Sequence, residues 1–276
     1  MIAAASLLML GSGAAHAVVN AILKSGGDKM SSRALIDGSS ALLILPLVLV
    51  VPLPSGAWLW LAASWVTHLV YLVCLIKAFE SADMSAVYPI MRGVAPVIAA
   101  LVSIFALGEP ITWAVAAGVL LVSLGTMLAA WWNAPSRHAL GWALATGASI
   151  AAYTVIDAAG VRAAPSLLSY IAWVFLMLGG GIGALFAIWR GPRFLSEARA
   201  QWKPGLIAGS LSIITYGFAL WAYRLGDVPR LAALRETSIL FGVGIAFFAL
   251  KERVDRSRLV GASLIAAGAG VLLALR

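Results

Sequence analysis

The sequence predicts an all-α integral membrane protein whose ten transmembrane helices form two inverted five-helix repeats. Three observations carry that prediction. Hydrophobic residues make up 62% of the 276 and charged ones 11%, against about 45–50% and about 25% in an ordinary soluble domain. The chain is a succession of apolar runs of about twenty residues, each able to cross a hydrocarbon core of roughly 30 Å as a helix. The stretch from Tyr88 to Gly125 also recurs. An offset of 143 carries Arg92 onto Arg235, Leu107 onto Leu250, Glu109 onto Glu252, Gly118 onto Gly261 and Gly125 onto Gly268. Five coincidences at one fixed offset mark an internal duplication.

The first run, Ile2 to Leu23, contains Ala15-His16-Ala17, which looks like a signal-peptide cleavage site, but it has no positive n-region and so counts as the first span. Lys24 to Arg33 is a polar joint. The second span runs from Ala34 to Val51 and stops at Pro52-Leu-Pro54; the third runs from Ala57 to Phe79, with Trp58 and Trp60 at its start as an interfacial belt. The fourth, Met84 to Leu107, contains Pro89, Arg92, Gly93 and Pro96. The fifth, Ile111 to Ala130, ends at Trp131-Trp132. After the joint Asn133 to His138 the pattern restarts, with spans at Leu140 to Ala159, Leu167 to Trp189, Gly205 to Arg224, Pro229 to Leu250 and Leu259 to Leu275. Residues 1–132 are therefore read as one repeat and 138–276 as the other.

Five spans per copy force the second copy to enter the membrane from the opposite side, an arrangement found in transporters. The joints after the odd-numbered spans hold Lys24, Lys29, Arg33, Lys77, Arg137, Arg190, Arg193, Arg199, Lys203, Lys251, Arg253, Arg256 and Arg258, thirteen bases, against Arg162, Arg224, Arg230 and Arg276 on the other side. That asymmetry puts the first set in the cytoplasm and both chain ends outside. It also accounts for the formal charge of +8, so no nucleic-acid partner is inferred from it. Cys74 is the single cysteine, which excludes an intrachain disulfide and a cysteine metal cluster. No HExxH pair, nucleophile elbow or phosphate loop occurs, so neither an enzyme nor a cofactor nor a metal site is expected.

An arginine within a span is costly unless it faces protein or water. Arg92 and Arg235 are therefore the first candidates, either for a substrate anion or for bonding to backbone carbonyls freed near Pro89 and Pro96 or to a nearby carboxylate. Glu236 has no repeat counterpart, since position 93 is glycine. It reads as a proton carrier, a partner for a cationic group, or the ion-pair partner of Arg92; along a helix Arg235 points about 100° away from it. An offset of 137 aligns His16 with Tyr153, Val18 with Val155 and Asn20 with Asp157, and residues four apart share a helix face. His16 and His68 are read as hydrogen-bonded packing residues or as a proton relay. Tyr71, Tyr88, Tyr153, Tyr216 and Trp221 are read as packing or as an aromatic cage. Glu109 and Glu252 are read as interfacial carboxylates that cap the next helix or hold a neighbouring base. The glycines of Gly179 to Gly183, and Gly261, Gly268 and Gly270, permit close helix contact.

The five-plus-five pattern, with each half carrying an apolar run, Leu-x-Glu (Leu107-Gly108-Glu109, Leu250-Lys251-Glu252) and a glycine-bearing last helix, resembles the EamA family of the drug/metabolite transporter superfamily. His16-Ala17-Val18-Val19-Asn20 with Lys24 and Gly27-Asp28 is similar to the opening of many bacterial members. The resemblance covers essentially the whole chain. It implies a carrier in the lipid bilayer of the bacterial inner membrane, commonly an exporter, that moves amino acids or other small molecules through a cavity lined by the first, third and fourth helices and by the sixth, eighth and ninth. Its ten-span members are usually placed with both ends in the cytoplasm, opposite to the basic-residue count here. The other reading is a non-transporting membrane scaffold or accessory subunit, in which the charges only hold helices together. The sequence leaves the oligomeric state open.

Overall fold

The computed structural model describes residues 1–25, 29–128, 135–248 and 256–274. Among the described residues the regular elements are helices: α1 (Ile2–Ser25), α2 (Lys29–Val48), α3 (Trp58–Ser81), α4 (Met84–Leu107), α5 (Trp113–Leu128), α6 (Arg137–Ala163), α7 (Leu167–Arg190), α8 (Pro192–Leu225), α9 (Val228–Arg235), α10 (Ser238–Phe248) and α11 (Arg256–Ala274). Among the described residues, seven helical stretches are long and apolar enough to cross a membrane, and Ala34–Val48 and Trp113–Leu128 are shorter apolar helices. The chain is a multi-pass membrane protein. Trp131, Trp132, Leu250 and Glu252 lie outside the described residues.

Local chemistry sets several boundaries. Ser136 caps α6 by accepting from Ala139 N–H at 3.2 Å, and Ser166 caps α7 by accepting from Ser169 N–H at 3.0 Å, each satisfying a donor that a helix start leaves free. Gly108 ends α4 in the left-handed region, φ 65°, where a side chain would be strained. Helix α8 is kinked at Gln201, φ −117° and ψ 15°, so a stretch of helix from Pro192 precedes its membrane-crossing part, Gln201–Leu225.

The ninth expected span, Pro229 to Leu250, is not one helix. It breaks between Arg235 and Ser238 into α9 and α10. The polar triplet Glu236-Thr237-Ser238 explains the break, because the Thr237 hydroxyl donates to Leu234 O at 2.7 Å and so competes with the backbone ladder. Glu236 N–H and Thr237 N–H bond three residues back, to Ala233 O and Leu234 O, and tighten the turn.

Helix α2 packs on α7, α5 on α11, α3 and α4 on α6, and α1 on α8, α9 and α10. Small residues set the closest crossings, as expected where lipid removes a hydrophobic drive between helices. A Cβ on Gly125 would stand 2.7 Å from Gly261 O, and one on Gly268 would stand 2.9 Å from Gly118 O. Gly183 meets the backbone of Gly38 in the α2–α7 crossing, and Gly181 meets the Trp65 ring. Cys74 is buried and free.

Tertiary bonds identify the two ends of the bundle. Ser169, at the start of α7, donates to Pro52 O after α2 at 2.7 Å. Arg162, at the end of α6, donates to Gly226 O after α8 at 2.7 Å and meets Glu109 after α4 at 2.7 Å. A Cβ on Gly226 would contact Ala5 near the start of α1. These joints share one end with the start of α1. The far end of that 24-residue helix, about 36 Å away, carries Lys24 to the opposite end.

Candidate functional site

Helices α4, α6 and α9 and the break that follows α9 bring four charges together from distant parts of the chain, three of them buried and Arg235 half-buried. Pro96 has no N–H to give the Arg92 carbonyl and loosens α4 there. Arg92, 7% exposed, lies inside that helix and faces the break that follows α9. Its Nε stands 3.0 Å from Glu236 Oε2. The N–H is off the line to that oxygen, so the contact is an ion pair without an aligned hydrogen bond. Arg92 Nη2 also donates to Ser238 Oγ at 3.3 Å. The break itself is buttressed by α1, where a Cβ on Gly13 would be 3.2 Å from both Ser238 N and Thr237 Oγ1. Of the alternatives for Glu236, pairing with Arg92 is the one this conformation contains.

Arg235 is half-buried and lies over the Tyr216 ring, its guanidinium carbon 5.3 Å from the ring centroid, within cation–π range. Its Nε is buried and makes no hydrogen bond. The Tyr216 hydroxyl donates to Asp157 Oδ2, and the Tyr170 hydroxyl donates to Asp157 Oδ1 at 2.7 Å. Asp157 is fully buried, and two O–H donors supply the compensation a buried carboxylate requires. Tyr216 thus has a cation on its face and a carboxylate at its hydroxyl.

Beside this cluster lies an aromatic stack. His68 lies parallel to Tyr153 at 4.1 Å between centroids; Tyr71 meets Tyr153 edge-on at 5.7 Å, and His68 meets Tyr216 edge-on at 6.3 Å. His68 Nδ1 is 2.9 Å from Ser64 O, and since a carbonyl only accepts, that nitrogen carries the proton. The rings pack on one another, so the expected cage is closed. A void lined by Arg92, Pro96, Tyr223, Arg235 and Glu236 lies next to them, with room for about one water molecule.

The other candidates are scattered. Tyr88 sits one turn before Arg92 but packs with Val87, Met91, Ala139 and Ala143 rather than with the ring stack. Trp221 is 44% exposed and turns away from the cluster, because the face of α8 that points inward carries Tyr216 and Tyr223. His16 is half-buried on α1, three residues from Gly13 and on the same face. The side chain of Asn20 lies outside the described residues. Glu109 does hold a base and cap a helix, but not the next one in the chain: its Oε1 meets Arg162 at 2.7 Å and its Oε2 accepts from Val228 N–H at the start of α9, at 2.8 Å. Arg162 also donates to Tyr223 O at 2.9 Å, and Arg224 donates to Val161 O at 3.0 Å. Together these bonds tie α4, α6, α8 and α9 at one end of the bundle.

Sequence reasoning missed Tyr170, Tyr223 and the helix break. Tyr223 had a signal, because it follows Tyr216 by seven residues and two helical turns return to the same face. The polar triplet at residues 236–238 was a signal for the break. Tyr170 had none.

The arrangement resembles known proteins at the level of family and fold. The model of the EamA-like transporter family matches residues 138–274. A solved crystal structure, described only as that of a protein, is similar over 99% of both chains, with 19% identity and a TM-score of 0.74; at that identity it speaks for the fold alone. No curated protein matches the sequence.

Proposed function

Because the chain belongs to the EamA-like transporter family through residues 138–274, we propose that it is a secondary transporter. In this reading it moves small organic metabolites such as amino acids outward across a bacterial inner membrane by alternating access. The observation that carries the reading is the convergence of Arg92, Arg235 and Glu236, from both halves of the chain, around one small void beside a broken helix, with Asp157 joined to the group through Tyr216. Charges at membrane depth are costly and are kept where they face a pathway. Substrate sites of such carriers are built where helices break between the halves.

The two halves, residues 1–132 and 138–276, are proposed to be inverted copies. What supports this is the pairing of elements: α1 packs on α8 as α6 packs on α3, and α2–α7 and α5–α11 each join an element to its own counterpart. The repeat-related glycines meet crosswise, Gly118 with Gly268 and Gly125 with Gly261. Both chain ends are assigned to the outside on the excess of bases near Lys24 and the other joints at that end. The small void makes this the closed form, and rocking one half against the other opens it to either side. Glu236 is the candidate for proton coupling, because parting α4 from the break would separate it from Arg92 and leave its carboxylate free to take a proton.

The test is flux. Purified protein in proteoliposomes should move its substrate without nucleotide, and neutralising Arg92, Arg235 or Glu236 singly should reduce the rate in folded protein. Unchanged rates in all three sink the site assignment. An absence of flux with any metabolite, together with a partner that copurifies, points to a scaffold instead.

A further inference from the structure

The charges in the chamber are not equivalent. Arg92 is matched by Glu236 at 3.0 Å and bonded to Ser238. Asp157 is matched by two tyrosine hydroxyls. Arg235 lies over the face of Tyr216, and its Nε makes no hydrogen bond. Tyr223, 1% exposed, borders the same void, and its hydroxyl is buried with no partner. A buried hydroxyl without a partner is unfavourable, so two orphaned donors at one void mark a place for an acceptor. Each can give one hydrogen bond there, and a carboxylate has two oxygens to receive them.

We infer that Arg235 and Tyr223 form a subsite for a single carboxylate group, the guanidinium and the phenol each donating to one of its oxygens. The charge of the site sets the class of ligand. Arg92 is in direct contact with Glu236, whereas Arg235 is separated from Asp157 by the Tyr216 ring, so Arg235 is the arginine whose donors are open to a single negative group. A phosphate dianion would bring a second charge with no counter-ion, and Asp157 on the far side of Tyr216 would repel it. The remaining lining is Ala95, Pro96, Ala99, Ile150, Thr154 and Ala232, of which Thr154 adds one neutral hydroxyl and none is a cation. This assignment rests on the chamber being a ligand site, as the transport reading holds, and it narrows what that site takes.

The experiment reads binding rather than transport. Thermal unfolding of the purified full chain in detergent micelles is followed while propionate, alanine or inorganic phosphate is added. Propionate and alanine share a skeleton and differ in the ammonium group, so comparing them separates a plain carboxylate from a zwitterion, and stabilisation by either supports the subsite. Phosphate is expected to have no effect. Arg235→Gln should raise the half-effect concentration roughly 10- to 100-fold, the loss of a hydrogen bond from a charged donor. Tyr223→Phe removes a hydroxyl that bonds no other protein group, so the ligand-free protein should be at least as stable as before while half-effect rises roughly 3- to 10-fold. If Arg235→Gln does not fold, the Tyr223→Phe result decides. The subsite is overturned if neither acid stabilises the protein, if phosphate stabilises it as well as they do, or if the acids act equally on Tyr223→Phe. Binding as described with no flux in proteoliposomes would sink the transport reading and leave the subsite standing.

Discussion

The ion pair between Arg92 and Glu236 can be tested by a double-mutant cycle with Arg92→Met and Glu236→Met. At 3.0 Å, with side chains 9% and 4% exposed, the attraction is about 5 kcal/mol at an effective dielectric constant of about 20. Removing one partner leaves the other charge buried, and such losses run to about 3–5 kcal/mol. The two singles should not cost the same. Glu236→Met leaves Arg92 and Arg235 around one void with no carboxylate between them, and belongs near the top of that range. Arg92→Met leaves Glu236 with Arg235 still at hand, and belongs near the bottom. The double variant removes both charges and should recover most of the loss, since apolar replacement of a whole buried pair is commonly neutral. Thermal unfolding in micelles, followed by tryptophan fluorescence, measures all four corners. A coupling energy below about 0.5 kcal/mol, the level at which independent sites add, would refute the pairing and with it the account of why Arg235 is the cation left over.

Other outcomes follow from the same geometry. Gly125→Val should lower stability by about 1–3 kcal/mol, the range for overpacking, because a Cβ there would stand 2.7 Å from Gly261 O and 2.9 Å from Ile265 N; Gly270→Ala, with open space around it, serves as the control in the same melting assay. Tyr170→Phe should cost about 1.5–3 kcal/mol, the worth of a hydrogen bond to a charged acceptor, read as a fall in denaturation midpoint. Glu109→Ala should cost only about 1 kcal/mol, since Arg162 is 32% exposed and exposed pairs are weak. Part of that loss should vanish at high salt, which screens the pair but not the bond to Val228 N–H. In a Cys74→Ser background, cysteines placed at Lys24 and Arg162 should react with impermeant reagents from opposite sides of the membrane; labelling from the same side would dismiss the inverted arrangement.

Much of the fold was legible because hydropathy is a local property. A run such as Met84 to Leu107 declares itself as a helix from its own residues, and α4 has those bounds. The ninth run was read as continuous because its apolar residues outweighed three polar ones; hydropathy averages over a window, whereas a helix breaks at individual backbone groups. The candidate site was legible residue by residue but not as an arrangement. Arg92, Arg235 and Glu236 each stood out at membrane depth and Asp157 by its alignment with Asn20, yet which arginine holds Glu236 depends on how α4 crosses the break after α9. Trp221 illustrates the same limit: its chemistry suited a chamber, and the rotation of α8 turned it away.

The sequence alone determined that this chain spans a membrane many times as helices and that its two halves share one pattern of charge and glycine. Those are consequences of composition and spacing along one strand of residues. Only the tertiary structure decided that Arg92 is matched to Glu236 across 144 positions, that Glu109 caps α9 rather than α5, and that Arg235 and Tyr223 keep unused donors at a common void. Burial fixes the energy of a charge, and burial is settled by helices packing against one another, which no local stretch of sequence encodes.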